Sequence, residues 1–131
     1  DIGRDGCRVP LPWSASGSSY GFGDGGAHLP QPAWFAESAV SVEDPDPAST
    51  LSLYRDALAL RHALQTGETL EWIDTGREDV LAFRRPNGWT VIANFGTEPF
   101  ELPAGPQLSL SSEPVEGRWL PGETTVWIAG A

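Results

Sequence analysis

Hydrophobic positions along the chain change their period twice. Over residues 1–48 there is none: Gly17-Ser18-Ser19-Tyr20-Gly21-Phe22-Gly23-Asp24-Gly25-Gly26 follows neither a helical nor a strand repeat. Glycine-rich sequence is costly to order in regular elements. Yet Trp13, Phe22, Trp34 and Phe35 fall in this stretch. Large aromatics of this kind imply docking onto a surface rather than a solvated linker. Residues 49–66 then take up a helical period. Leu51, Tyr54 and Leu58 share a face, with Leu53, Ala57, Leu60 and Leu64 beside them. Asp44-Pro45-Asp46-Pro47 blocks helix upstream. Ser49 or Thr50 can cap the first turn, and Gly67 is a natural C′ stop. The apolar arc is broad, which predicts a helix covered on more than one side.

From residue 70 the period becomes that of strands. Glu71-Trp72-Ile73 opens it. Val80 to Arg85 and Trp89 to Phe95 come next, joined through Pro86-Asn87-Gly88. Asn-Gly between two apolar runs is a hairpin signal, because both residues tolerate positive φ. Trp89, Val91, Ala93 and Phe95 fall on one face of the second strand, and Thr90, Ile92 and Asn94 on the other. Short strands are predicted at Phe100–Leu102, Gln107–Ser111, around Arg118-Trp119, and at Thr124–Ala129, punctuated by Pro and Gly. The sheet should bury one face, with the helix covering part of it. The fold class is therefore mainly β. A C-terminal antiparallel β-sandwich-like domain (67–131) is preceded by one long α-helix (49–66) and an irregular Gly/Pro-rich N-terminal segment (1–48).

Composition narrows the functional classes. The chain has 131 residues, 40% of them hydrophobic, with six Trp and five Phe. That supports a folded core but not a large enzyme barrel. Net charge is −10, from 18 acidic and 8 basic residues, and every basic residue is Arg. Such a surface repels phosphate backbones and anionic membranes, so neither nucleic acid nor a membrane is an expected partner. No apolar run approaches the roughly 20 residues of a membrane helix, and no signal peptide opens the chain. The single Cys7 permits no internal disulfide, which fits a cytoplasmic location. Met is absent and the chain opens at Asp1, as a fragment or processed product would.

Candidate chemistry is sparse. Arg4, Asp5 and Arg8 form the densest polar cluster, with Trp13 shortly after. A guanidinium presents a fixed fork of donors suited to adjacent hydroxyls or a carboxylate, so Arg plus Trp is a reasonable sugar-binding set. The plainer alternative is a loop held by an Arg–Asp ion pair. His28, His62 and Cys7 lack metal-site spacing, and neither a metal nor another cofactor is expected. A thiol nucleophile at Cys7 has no neighbouring His in sequence to support it. A glycosidase needs two carboxylates facing across a sugar. The pairs Asp44/Asp46 and Glu78/Asp79 sit in turn-type sequence, so no catalytic residue is expected in this chain. Trp residues of the β part fall mostly on strand positions, where core packing is the default.

One segment carries a family resemblance. Gly3-Arg4-Asp5-Gly6-Cys7-Arg8-Val9-Pro10-Leu11-Pro12-Trp13 resembles the R-D-x-x-R-T-P-M-x-W stretch found late in the barrel of bacterial α-glucosidases, oligo-1,6-glucosidases and trehalose synthases. Val9 stands for the usual Thr and Leu11 for the usual Met. Leu29-Pro30-Gln31-Pro32 resembles the next loop of those enzymes. The run from Asp44 to Arg61 resembles the last barrel helix. Val80-Leu81-Ala82-Phe83-Arg84-Arg85 and Val91-Ile92-Ala93-Asn94-Phe95 resemble the start of the C-terminal β domain. The resemblance is to glycoside hydrolase family 13, the α-amylase family. It implies a (β/α)8 barrel elsewhere whose nucleophile Asp, acid/base Glu and second Asp are absent here. It implies that Arg4 contacts the terminal glucose in the pocket, that Asp5 positions Arg4, and that Arg8 is the second motif Arg.

On that resemblance the chain is expected to be the C-terminal fragment of a retaining α-glucosidase, inactive alone. Its partner would be the catalytic barrel of the same polypeptide, and it would meet an α-glucoside only in the intact enzyme. Self-association of the exposed docking surfaces is also expected. Two alternatives stand beside this reading. One is a carbohydrate-binding β module using exposed Trp. The other is a fragment of a trehalose synthase or transglycosylase.

Overall fold

The computed structural model describes residues 4–105 and 108–130. Gly3 of the Arg-Asp motif, Pro106, and Gln107 at the expected start of a strand lie outside the described residues. The chain divides into two compact units, Asp1–Arg55 and Asp56–Ala131. The division falls within the long helix.

The first unit is irregular but internally bonded. Short 3₁₀ turns lie at Arg4–Arg8, Ser18–Gly21 and Ala33–Ala36, and helix α1 spans Val40–Glu43. Trp13 and Ser14 backbone N–H groups both donate to the Tyr20 carbonyl, at 2.8 and 2.9 Å. Ser19 and Tyr20 take positive φ of 50° and 49°, and a Cβ on Gly21 would clash with Ser14 Oγ. Glycine at 21 is thus required by a close approach as well as by its φ of 76°.

Helix α2 spans Thr50–Leu64. Ser49 is its N-cap: its Oγ accepts from Ser52 N–H at 3.1 Å and donates to the Glu43 carbonyl at 2.8 Å. Asp46 accepts from Ala48 N–H, closing the Asp-Pro turn before the helix, and Arg55 forms an ion pair with Asp44. Two expectations fail here. Gly67 is not the C′ stop: the last i→i−4 bond is Gln65 N–H to Arg61 C=O, and Gly67 has no positive φ. Gly67 instead packs close to Pro86. The helix is also not covered on several sides, since it has no buried residue and Tyr54 and Leu58 are exposed.

The β unit is a five-stranded antiparallel sheet, with a two-stranded sheet against it. The strands are β1 Glu71–Ile73, β2 Val80–Arg84, β3 Thr90–Asn94, β4 Phe100–Glu101, β5 Leu108–Ser111, β6 Trp119–Leu120 and β7 Thr124–Ile128. The larger sheet runs β1-β2-β3-β7-β5, and β4 pairs with β6. Asn87 and Gly88 take φ of 75° and 78° in the β2–β3 hairpin, as the Asn-Gly pair predicts. The hairpin closes through Gly88 N–H to Arg85 C=O and Arg85 N–H to Trp89 C=O.

The core lies between the sheets. Val80, Ala82, Ile92, Val126 and Ile128 project from one face of the large sheet against Leu102 and Leu120. The expectation of a single buried face is corrected on the central strand. Val91 and Ala93 are buried on the opposite face, so burial along β3 is continuous from Val91 to Asn94 rather than alternating. Phe95, assigned to that face, is 71% exposed instead, because the strand ends at Asn94 and the chain turns at Gly96. Nor are all the β-unit Trp inward: Trp89 is buried, but Trp72 and Trp119 are exposed.

Candidate functional site

The Arg-Asp motif forms the 3₁₀ turn Arg4–Arg8, whose Arg4, Asp5, Gly6 and Cys7 are exposed. Among the described residues, no hydrogen bond or ion pair joins Asp5 to Arg4 or Arg8. The turn therefore presents two guanidinium groups and one carboxylate that are not tied to one another.

The segment after the motif is firmly tied. Gln31 Nε2 donates to the Pro10 carbonyl at 3.0 Å and, more weakly, to the Ser19 carbonyl at 3.4 Å. Proline cannot offer an N–H, but its carbonyl still needs a partner. Val40 N–H donates to the Pro12 carbonyl at 3.2 Å and Ser41 N–H to the Trp13 carbonyl at 3.0 Å. Segment 10–14 is thus held by residues 20, 31, 40 and 41. This explains the Leu29-Pro30-Gln31-Pro32 motif, whose amide carries a long-range bond that spacing in sequence cannot show. Leu11, Trp13, Phe22 and Trp34 stand exposed on the same unit.

Of the two acidic pairs, Asp44, Asp46 and Asp79 are structural, while Glu78 is exposed. Asp44 and Asp46 belong to the helix entry. Asp79 accepts from Arg77 Nε at 2.9 Å and Nη2 at 2.5 Å, a two-point contact. Arg77 also reaches the Pro99 carbonyl at 2.9 Å. The Arg77 hydrogen bond holds the Asp79 carboxyl below its ordinary range, and Arg77 is correspondingly raised. Beside this pair, Asn94 Nδ2 donates to the carbonyls of Glu98 at 2.9 Å and Pro121 at 3.0 Å, and its Oδ1 accepts from Gly96 N–H. These groups join three loops and place no second carboxylate across a sugar-sized cleft. Among the described residues, no group of three or more His, Cys, Asp or Glu could hold a metal ion. No helix among them is long and apolar enough to cross a membrane.

No protein-family model matches the sequence. A "probable alpha-glucosidase" of Rhizobium meliloti (strain 1021) is 40% identical over 89 residues, which is 66% of this chain and 16% of that protein. Among solved structures, a trehalulose synthase superposes with a TM-score of 0.76 at 27% identity, over 96% of this chain and 26% of its own. The α-glucosyl transfer enzyme XgtA superposes with a TM-score of 0.74 at 32% identity, over 98% of this chain and 26% of its own. The chain corresponds to the C-terminal part of an α-amylase-family enzyme. The fold alone is shared with a trehalose-6-phosphate hydrolase of Bacillus licheniformis, at 22% identity and a TM-score of 0.74. The chain spans about a quarter or less of the length of each relative.

Proposed function

We propose that this chain is the pocket-wall and β-domain part of a retaining α-glucosidase. In that reading Arg4 reaches hydroxyls of the terminal glucose and Arg8 adds a second donor fork, while Asp5, which bonds neither Arg among the described residues, comes to orient Arg4 only in the pocket completed by the rest of the polypeptide. Acid and nucleophile come from the remainder of the polypeptide, since cleavage needs two facing carboxylates and the described residues offer none so placed. The observation that carries the reading is the 40% identity to a probable α-glucosidase. The tied segment 10–14 supports it, because a fixed anchor just after the Arg turn limits how far that turn can wander.

A glucosyl-transferring or isomerising parent is the second reading. It draws on the likeness to XgtA and to the trehalulose synthase. The two differ in what accepts the glucosyl group, which is decided outside this chain.

The partner we infer is the catalytic barrel of the same polypeptide. Leu11, Trp13, Phe22 and Trp34 are between 53% and 68% exposed, a concentration of open apolar surface that a self-sufficient unit rarely carries.

The test replaces the matching segment of the Rhizobium meliloti enzyme with this chain. The chain alone should leave p-nitrophenyl α-D-glucopyranoside uncleaved, and the chimaera should cleave it. Arg4→Ala in the chimaera should lower kcat/KM about a hundredfold, about 2.7 kcal/mol of lost transition-state binding. Turnover by the purified chain alone, or a chimaera indifferent to Arg4→Ala, refutes the assignment.

A further inference from the structure

A hollow of about 370 Å³ opens between the two sheets of the β unit, away from the Arg4–Arg8 turn in sequence and independent of the catalytic reading. Its volume falls at the small end of ligand pockets. The floor is apolar and built: Ile92, Leu102 and Ile128 are buried and Phe100 half-buried. The mouth is polar, carrying Arg84, Thr90, Glu101 and Arg118, with Asp74 and Thr75 beside them.

The charges at the mouth are already neutralised in pairs. Arg84 Nη1 lies 3.4 Å from Glu71 Oε2, and Arg118 Nη2 lies 3.2 Å from Glu101 Oε1. Arg118 is further fixed by the Leu102 carbonyl, at 3.0 Å from Nε and 2.8 Å from Nη2. Asp74 adds a further carboxylate at the mouth, and the chain carries −10 overall. An anionic ligand would meet net repulsion there. A wholly apolar ligand would strip water from two ion pairs without replacing their hydrogen bonds. A neutral molecule fits best, with an apolar face for the floor and hydroxyls for the mouth, where guanidinium donors and carboxylate acceptors stand side by side.

We propose that the hollow between β2–β3 and β4 binds a neutral pyranoside of one or two rings. The sugar's C–H face lies on Ile92, Phe100 and Ile128. Its hydroxyls bond Arg84, Glu101 and Thr90.

Maltose is the probe, titrated into the full chain with methyl-labelled Ile, Leu and Val followed by NMR. Saturable shifts of the Ile92, Ile128 and Leu102 methyls are expected at millimolar sugar. No Trp lines the hollow, so Trp emission should stay unchanged. Arg84→Gln, at a half-exposed side chain, should weaken binding about tenfold, as loss of a charge-assisted hydrogen bond does. Thr90→Phe keeps strand propensity and fills the mouth, so it should abolish the shifts while the Val126 methyls report an intact core. The proposal is overturned if no pocket methyl moves, if Trp emission responds to sugar while the pocket methyls stay still, or if both variants bind like the parent. Binding of octanoate but not maltose would equally overturn it.

Discussion

Asn94 is 2% exposed, and its side-chain amide serves the carbonyls of Glu98 and Pro121 and the N–H of Gly96. A buried carbonyl stripped of its donor costs about 1–3 kcal/mol. Asn94→Ala should therefore lose about 2–3 kcal/mol in urea unfolding, more than a surface change allows. Nearby, Asp79 shows a pH signature. Its carboxyl is depressed below the ordinary Asp value mainly by the Arg77 hydrogen bond. The stabilisation it brings is present above that unfolded value and is lost as pH falls through the lower folded value. Asp79→Asn should thus be less stable than the parent at neutral pH, with the gap closing in acid, measured as urea midpoints against pH. The sequence displays Asp79 only as part of a turn-like acidic pair. Its partner Arg77 is two residues away, but the carbonyls that fix Arg77 lie more than twenty residues on.

At the scale of elements, the local signals are strong where the chemistry is local. The Asp-Pro turn, the Ser49 cap and the Asn87-Gly88 hairpin each act within a few residues, and each is found in the fold. Ser49→Ala should cost about 1 kcal/mol and fray the first turn of α2, seen as faster amide exchange at Ser52. Gly67 illustrates the opposite case, because its role is contact with Pro86 rather than a left-handed turn. A Cβ there would sit at an ordinary 3.4 Å from Pro86 Cγ, whereas Gly88 holds φ at 78°. Gly67→Ala should be within about 0.5 kcal/mol of the parent, and Gly88→Ala should lose about 1–2 kcal/mol. Thermal unfolding of the two variants side by side distinguishes a packing glycine from a conformational one. Strand alternation also fails at β3, since a central strand is covered on both faces and period two then vanishes.

Across the whole molecule, open apolar surface is the dominant trait. Trp13, Trp34, Trp72 and Trp119 are each more than half exposed, alongside Leu11, Phe22 and Tyr54. In a chain of net charge −10, repulsion opposes contact and salt screens it. Sizing at rising concentration should show self-association that strengthens with added salt and falls when Trp13 and Trp34 are both replaced by Ser. Aromatic content hints at such docking, but which rings are open is not legible in sequence, because strand position alone does not say what covers a face. The wet indoles carry a spectroscopic consequence. Native emission must already be red, dominated by rings in contact with water, so denaturation will move the band little. Trp89, at 4% exposure, is the indole whose colour change would report melting of the β unit.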